Sequence, residues 1–149
     1  MKPPSPAQVA GKLQTVRTLA GAGIIRPQRP DRLFSAAVAL IRWGATPAAG
    51  YKAAAARYPD DLGLIDESGT LTFKELHERS NALAHALRRE GVKAGDAVGI
   101  MCRNHRGWVD AYVATNKLGA NALFMNTAFS GPQLADVAER EEPVAIIYD

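Results

Sequence analysis

The sequence predicts an α/β fold with a parallel sheet, made of βαβ units that begin at about residue 62 and follow three short helices. Three observations carry this prediction. Apolar stretches of strand length alternate with capped, amphipathic helices from Leu62 to Tyr148, with short loops between them. The run Ala97 to Cys102 is apolar without alternation, the pattern of a strand covered on both faces. Glycine or proline stands where each helix must stop, at Gly44, Pro59, Gly91, Gly119 and Pro143.

Taken in order, Ser5-Pro6-Ala7-Gln8 reads as a capping box with proline at the first helical position. Val9, Leu13, Val16 and Ala20 then line one face of a short helix that Gly21 and Gly23 end. Arg26 to Pro30 is a linker, and Asp31 is placed to cap a second helix from Arg32 to Trp43, apolar over a wide arc. Thr46-Pro47 starts a third, alanine-rich helix. The Phe34 and Ile41 face is expected to be buried against the body of the protein, since amphipathic helices usually serve a core. The competing expectation is that this basic, apolar segment rests on an anionic membrane surface.

Leu62 to Asp66 is a strand, turned by Glu67-Ser68-Gly69 into Leu71. Thr72 and Glu75 form a capping box for the central helix, whose inward face is Phe73, Leu76, Ser80, Leu83, Ala84 and Leu87. Gly91 takes the left-handed cap, Gly95-Asp96 turns the chain, and Ala97 to Cys102 is the buried strand. Asn104 is positioned to cap the next helix, with Trp108, Ala111, Tyr112, Thr115 and Leu118 inward up to Gly119. Ala120 to Met125 is a strand, Ser130 caps a helix with Leu134, Val137 and Ala138 inward, and Val144 to Tyr148 is the last strand. Short loops between these elements imply right-handed crossovers.

At 149 residues and 47% hydrophobic content the chain has the makings of one soluble domain. No apolar run approaches the roughly 20 residues of a membrane span, and MKPPSPAQVAGK lacks a signal-peptide core, so a cytoplasmic location is expected. The net charge of +3 is unevenly spread. Residues 1 to 59 hold nine basic groups against Asp31 alone, and the remainder holds nine against fourteen acids.

Chemistry is sparse in these residues. Neither G-x-x-x-x-G-K-[ST] nor G-x-G-x-x-G is present, and His77, His85 and His105 lack metal-ligand spacing. His77 and His85 are expected to be exposed or packed at an edge. Cys102 has Arg103, His105 and Arg106 close by, which would lower its pKa if exposed; a buried, inert thiol at a strand end is the expected state. Trp108 and Tyr112 are read as core rather than as a base-stacking platform, and nucleic acid is not an expected partner. No catalytic, cofactor-binding or metal-binding residue is nominated.

From about Ala53 onward, the order of segments resembles the opening of the adenylate-forming enzymes, specifically the acyl-CoA synthetases. The matching pieces are Arg57-Tyr58-Pro59-Asp60, the G-x-L-T-F-x-E-L stretch Gly69 to Leu76, and Gly91 to Ile100. They continue with Asn104, Lys117-Leu118-Gly119-Ala120 and Met125-Asn126-Thr127. Residues 1–46 are similar to the basic helical extension of some bacterial fatty-acyl-CoA ligases, leaving 47–149 as the first α/β portion of the large N-terminal domain. The resemblance implies activation of a fatty carboxylate by Mg-ATP to an acyl adenylate and its transfer to coenzyme A. It also implies that the phosphate loop, the acidic metal ligand and the mobile lysine of that chemistry lie beyond Asp149. The chain alone is therefore expected to be an inactive N-terminal fragment. A short noncatalytic α/β interaction module is the alternative, and the reading frame past Asp149 separates the two. An incomplete parallel sheet leaves an open edge after Tyr148, so self-association is expected, visible by light scattering.

Overall fold

A computed structural model describes residues 29–149, and before them only Gln14, Thr18 and Gly21 as single positions. The Ser5 cap and the apolar face from Val9 to Ala20 lie outside the described residues. The chain divides into two compact units, Met1–Pro30 and Asp31–Asp149. The second is built from helices α1 (Pro30–Trp43) and α2 (Pro47–Arg57), strands β1 (Leu62–Asp66) and β2 (Gly69–Thr72), and helix α3 (Phe73–Arg89). Then come β3 (Ala97–Met101), α4 (Arg106–Leu118), β4 (Asn121–Phe124), α5 (Gly131–Glu141) and β5 (Ala145–Tyr148).

The expected parallel sheet is present, in the order β4-β3-β5, with β3 central. The two earlier strands do not join it. β1 and β2 form a separate antiparallel hairpin, because Glu67-Ser68 returns the chain directly and no crossover helix intervenes. The parallel units therefore begin at Ala97 rather than at about residue 62. Gly63 lies against α3 so closely that a Cβ there would stand 2.8 Å from Leu76 Cδ1, and this lets Leu76 bury to 1% exposure.

The capping box of α3 is as expected: Glu75 N donates to Thr72 Oγ1, and Thr72 N donates to Glu75 Oε2 at 2.7 Å. Its inward residues Leu76, Ser80, Ala84 and Leu87 are buried, while Lys74, Glu78, Arg88 and Arg89 face water. Past the helix, Gly91 sits at φ +97°, and Val92 N donates back to Leu87 O. Leu87, Val92, Val98, Ala114 and Ala120 form the core between α3, α4 and the sheet. Fully burying a leucine of this kind contributes about 1.5–3 kcal/mol. On the outer side of β4, Trp108, Tyr112 and Phe124 pack on one another with ring centroids 5.1–5.4 Å apart.

Three local expectations are corrected. α1 starts at Pro30, which places Asp31 in its first turn rather than at the cap. The helix also docks through its other side. Phe34 and Ile41 remain 72% and 86% exposed, whereas Ala39 is buried and Arg32, Ser35, Ala36 and Trp43 are half-buried. Both its ends are tied by hydrogen bonds: Arg32 Nη1 donates to Arg57 O at 2.8 Å, and Trp43 Nε1 to Lys117 O at 3.2 Å. Finally, α4 is capped by His105 and not by Asn104. His105 has the extended backbone of a cap, and its Nδ1 accepts from Gly107 N at 2.9 Å.

Candidate functional site

In open α/β sheets ligands bind outside the carboxyl ends of the strands. Here that edge is formed by Met101 to His105 as the chain leaves β3, by Met125 and Asn126 after β4, and by Asp149 after β5. Its most connected group is Asp149. Arg103 N donates to Oδ1 at 3.1 Å, Arg103 Nε to Oδ2 at 2.9 Å, and His105 Nε2 to the same oxygen at 2.8 Å. Because His105 Nδ1 is occupied as an acceptor, the ring proton belongs on Nε2, and the imidazole orients Asp149. The His105 hydrogen bond, assisted by Arg103, holds the Asp149 carboxyl down to about 2. Gly107 makes the cap possible, since a Cβ there would stand 2.6 Å from the ring.

Cys102 lies beside this network with Sγ 3.6 Å from Ile147 O. Burial, and then the charge of Asp149, push its thiol pKa up. The basic neighbours in sequence therefore do not activate it, in line with the expected inert thiol. Just outside, Asp66 at the end of β1 is clasped by Arg106 at the start of α4, with Nη2 to Oδ1 at 2.6 Å and both Nε and the backbone N to Oδ2 at 2.9 Å. The Arg106 hydrogen bonds hold the Asp66 carboxyl well below the usual carboxylate range. This bidentate pair fastens the hairpin to the parallel sheet across forty residues of sequence. A second pair, Arg79 to Asp110 Oδ2 at 2.6 and 2.9 Å, joins α3 to α4.

At the other end of α4, Lys117 is buried and its Nζ donates to Ser80 Oγ at 2.7 Å, Asn81 Oδ1 at 2.9 Å and the carbonyl oxygen of His77 at 3.1 Å, with His77 Nδ1 also 3.1 Å away. His77 is thus a half-buried acceptor rather than a solvent-exposed ring. Burial, then the charges of Lys117 and Lys52, depress its pKa to about 4. The unfolded chain protonates His77 near its ordinary value while the folded chain does not, so between about 6.5 and 4 the unfolded state binds more protons. Stability is therefore expected to fall with acidification through that window and to lose this dependence below it. Urea titrations at pH 7, 6 and 4.5 check this, and His77→Gln is expected to flatten the slope.

Sequence alone nominates none of these pairs. Their partners lie 31 to 46 positions apart, beyond the reach of local pattern. What the arrangement does chemically is bind and orient: it fixes the loop after β3, the exit of β5 and the hairpin as one rigid edge. Among the described residues, no group of three or more His, Cys, Asp or Glu could hold a metal ion.

Comparison with known proteins gives this edge a context. A 3-oxocholest-4-en-26-oate–CoA ligase of Rhodococcus rhodochrous is 34% identical over 91 residues, which are 61% of this chain and 16% of that protein. A medium/long-chain-fatty-acid–CoA/3-oxocholest-4-en-26-oate–CoA ligase of Mycolicibacterium smegmatis matches to the same extent. Among solved structures, O-succinylbenzoate coenzyme A synthetase of Bacillus subtilis, in complex with AMP, superposes with a TM-score of 0.63 at 28% identity, over 70% of this chain and 26% of that one. A fatty acyl CoA synthetase of Mycobacterium tuberculosis shares the fold with a TM-score of 0.67 at 20% identity, over 73% of this chain and 22% of its own. The chain thus spans about a sixth of the length of these curated relatives. Residues 51–149, which build the later part of α2, the hairpin, α3 and the whole parallel sheet, match the sequence model of the AMP-binding enzymes. The chain belongs to the AMP-binding enzyme family.

Proposed function

We propose that the chain supplies the opening α/β segment of an acyl-CoA ligase, an acid–thiol ligase that activates a fatty carboxylate with ATP and passes the acyl group to coenzyme A. One observation carries this reading: the residues that match the family are the same ones that assemble the β4-β3-β5 sheet and its carboxyl edge, where such folds bind ligands. The names of the relatives, CoA ligases of fatty and steroid acids, support the substrate class. They favour a ligase over a noncatalytic interaction module.

In this reading no described residue is assigned to ATP, magnesium or coenzyme A. No glycine-rich phosphate loop is present, the acids at the edge are each engaged by arginine or histidine, and no metal-holding cluster exists among the described residues. No step of the reaction is assigned to a side chain of this chain. Its part is to hold the sheet edge in place. The 149-residue chain, supplied with ATP, coenzyme A and a fatty acid, is expected to form no acyl-CoA, and measurable thioester would refute the assignment.

The exposed stripe of α1 supports peripheral contact with a membrane. Leu33, Phe34, Val38, Leu40 and Ile41 are 44–86% exposed on a segment rich in arginine, and among the described residues no helix is long and apolar enough to cross a membrane. Sedimentation with anionic vesicles is expected to drop on Phe34→Asp with Ile41→Asp, or on deletion of residues 1–45. Equal sedimentation of all three would dispose of the idea.

A further inference from the structure

Four helices surround a cleft of about 300 Å³ lined by four cations, Arg42 of α1, Lys52 of α2, Arg88 of α3 and Lys117 of α4, with His77 and His85 of α3 beside them and no acid. Three of these cations occupy the last turn of a helix, where the carbonyl end of the macrodipole favours positive charge. That accounts for Arg42, Arg88 and Lys117 one at a time. It accounts neither for Lys52, in the middle of α2, nor for the convergence of all four on one cleft without an acid.

Among the described residues no ion pair engages Lys52, Arg88 or Lys117. The Arg42 guanidinium stands 4.9 Å from the centre of the Trp43 ring instead of beside a carboxylate. Asp110, the acid whose field reaches Lys117, is already held by Arg79. The like charges are felt: burial and the charge of Lys52 lower the Lys117 pKa to about 8. The positive charge is fixed, because Ser80, Asn81 and His77 anchor the Lys117 ammonium.

We propose that this cleft is a binding site for a phosphomonoester, whose dianionic head is held by Lys52, Arg88 and Arg42 beside the anchored Lys117. A dianion matches the excess of cations better than a carboxylate does, and guanidinium and ammonium groups are the usual donors to phosphate oxygens. The volume lies at the small end of ligand pockets and suits a phosphate carrying a short polar body. The site is separate from the sheet edge. Lys117 and the His105 cap stand at opposite ends of α4, about 18 Å apart along its axis.

The test is a thermal-shift titration of the full chain with inorganic phosphate, with ionic strength held constant by sodium chloride. A saturable rise in Tm is expected, with the apparent affinity reduced at least about tenfold by Lys52→Gln and by Arg88→Gln, the weight of one charge-assisted contact. Arg140→Gln, on the exposed face of α5, is expected to leave it unchanged. Without phosphate, Lys52→Gln is expected to melt at or above the wild-type Tm, since it removes repulsion, which separates lost binding from lost folding. A second arm compares glycerol 3-phosphate with vesicles containing phosphatidate: competition by the soluble ester, or Lys52-dependent sedimentation with the vesicles, names the source of the phosphate. A response that does not saturate, one as strong in the Lys52 and Arg88 variants as in the wild type, or binding to neither probe would overturn the proposal.

Discussion

Ile100→Ala is expected to lower the unfolding free energy by about 2–5 kcal/mol, a large part of the roughly 5–15 kcal/mol available to a domain. Ile100 is 1% exposed on the central strand, with Phe124 of β4 and Ile147 of β5 as its register partners. A cavity there has no flexible rim to collapse into, because both neighbouring strands are fixed by their ladders and Met125 N donates to Ile100 O at 2.9 Å. Ile65→Ala is the control. Its side chain is equally large but 70% exposed in the hairpin, so the change should move the urea midpoint little. Equal losses for the two variants would contradict the placement of β3 at the centre.

Gly99→Val should be nearly as damaging, by the opposite mechanism. At Gly99 a Cβ would stand 2.8 Å from Met125 Sδ and 3.1 Å from Ile146 Cγ1. The methionine can rotate aside, but the branched Ile146 belongs to β5, in register with Gly99, and has nowhere to move without shifting its strand. Overpacking of this kind costs about 1–3 kcal/mol, and valine adds two methyl groups beyond the Cβ. Valine is otherwise a favourable strand residue, so a stable variant would mean that β5 does not lie where the register places it.

The elements legible in the sequence are those whose cause is local. Thr72 and Glu75 specify a helix start from within four residues, and Gly91 and Gly119 specify helix ends through backbone conformations that other residues resist. The apolar run before Cys102 announces a strand buried on both faces, and β3 is that strand. What stays hidden is long-range or depends on which of two faces wins. The stripe of Phe34 and Ile41 has the period of a core face, yet it stays exposed, while Ala39 is buried, Ser35 and Ala36 are half-buried, and Arg32 and Trp43 make the long-range hydrogen bonds. Asp66 with Arg106, and Lys117 with Ser80, are partners only after the chain has folded. Asn104 is the commoner capping residue, but the backbone turn falls one position later, where His105 can reach both Gly107 and Asp149.

On the proposed reading, residues 51–149 form the opening segment of an acyl-CoA ligase, and the chemistry belongs to other segments of such an enzyme. The most direct test of this claim replaces the matching segment of the Rhodococcus rhodochrous ligase with residues 51–149 and measures acyl-CoA formation by the chimera, alongside the unmodified ligase and the 149-residue chain. Thioester formation is expected from a chimera that melts cooperatively, and none from the 149 residues alone. A cooperatively folded chimera that forms no acyl-CoA, or an isolated chain that does, would contradict the claim.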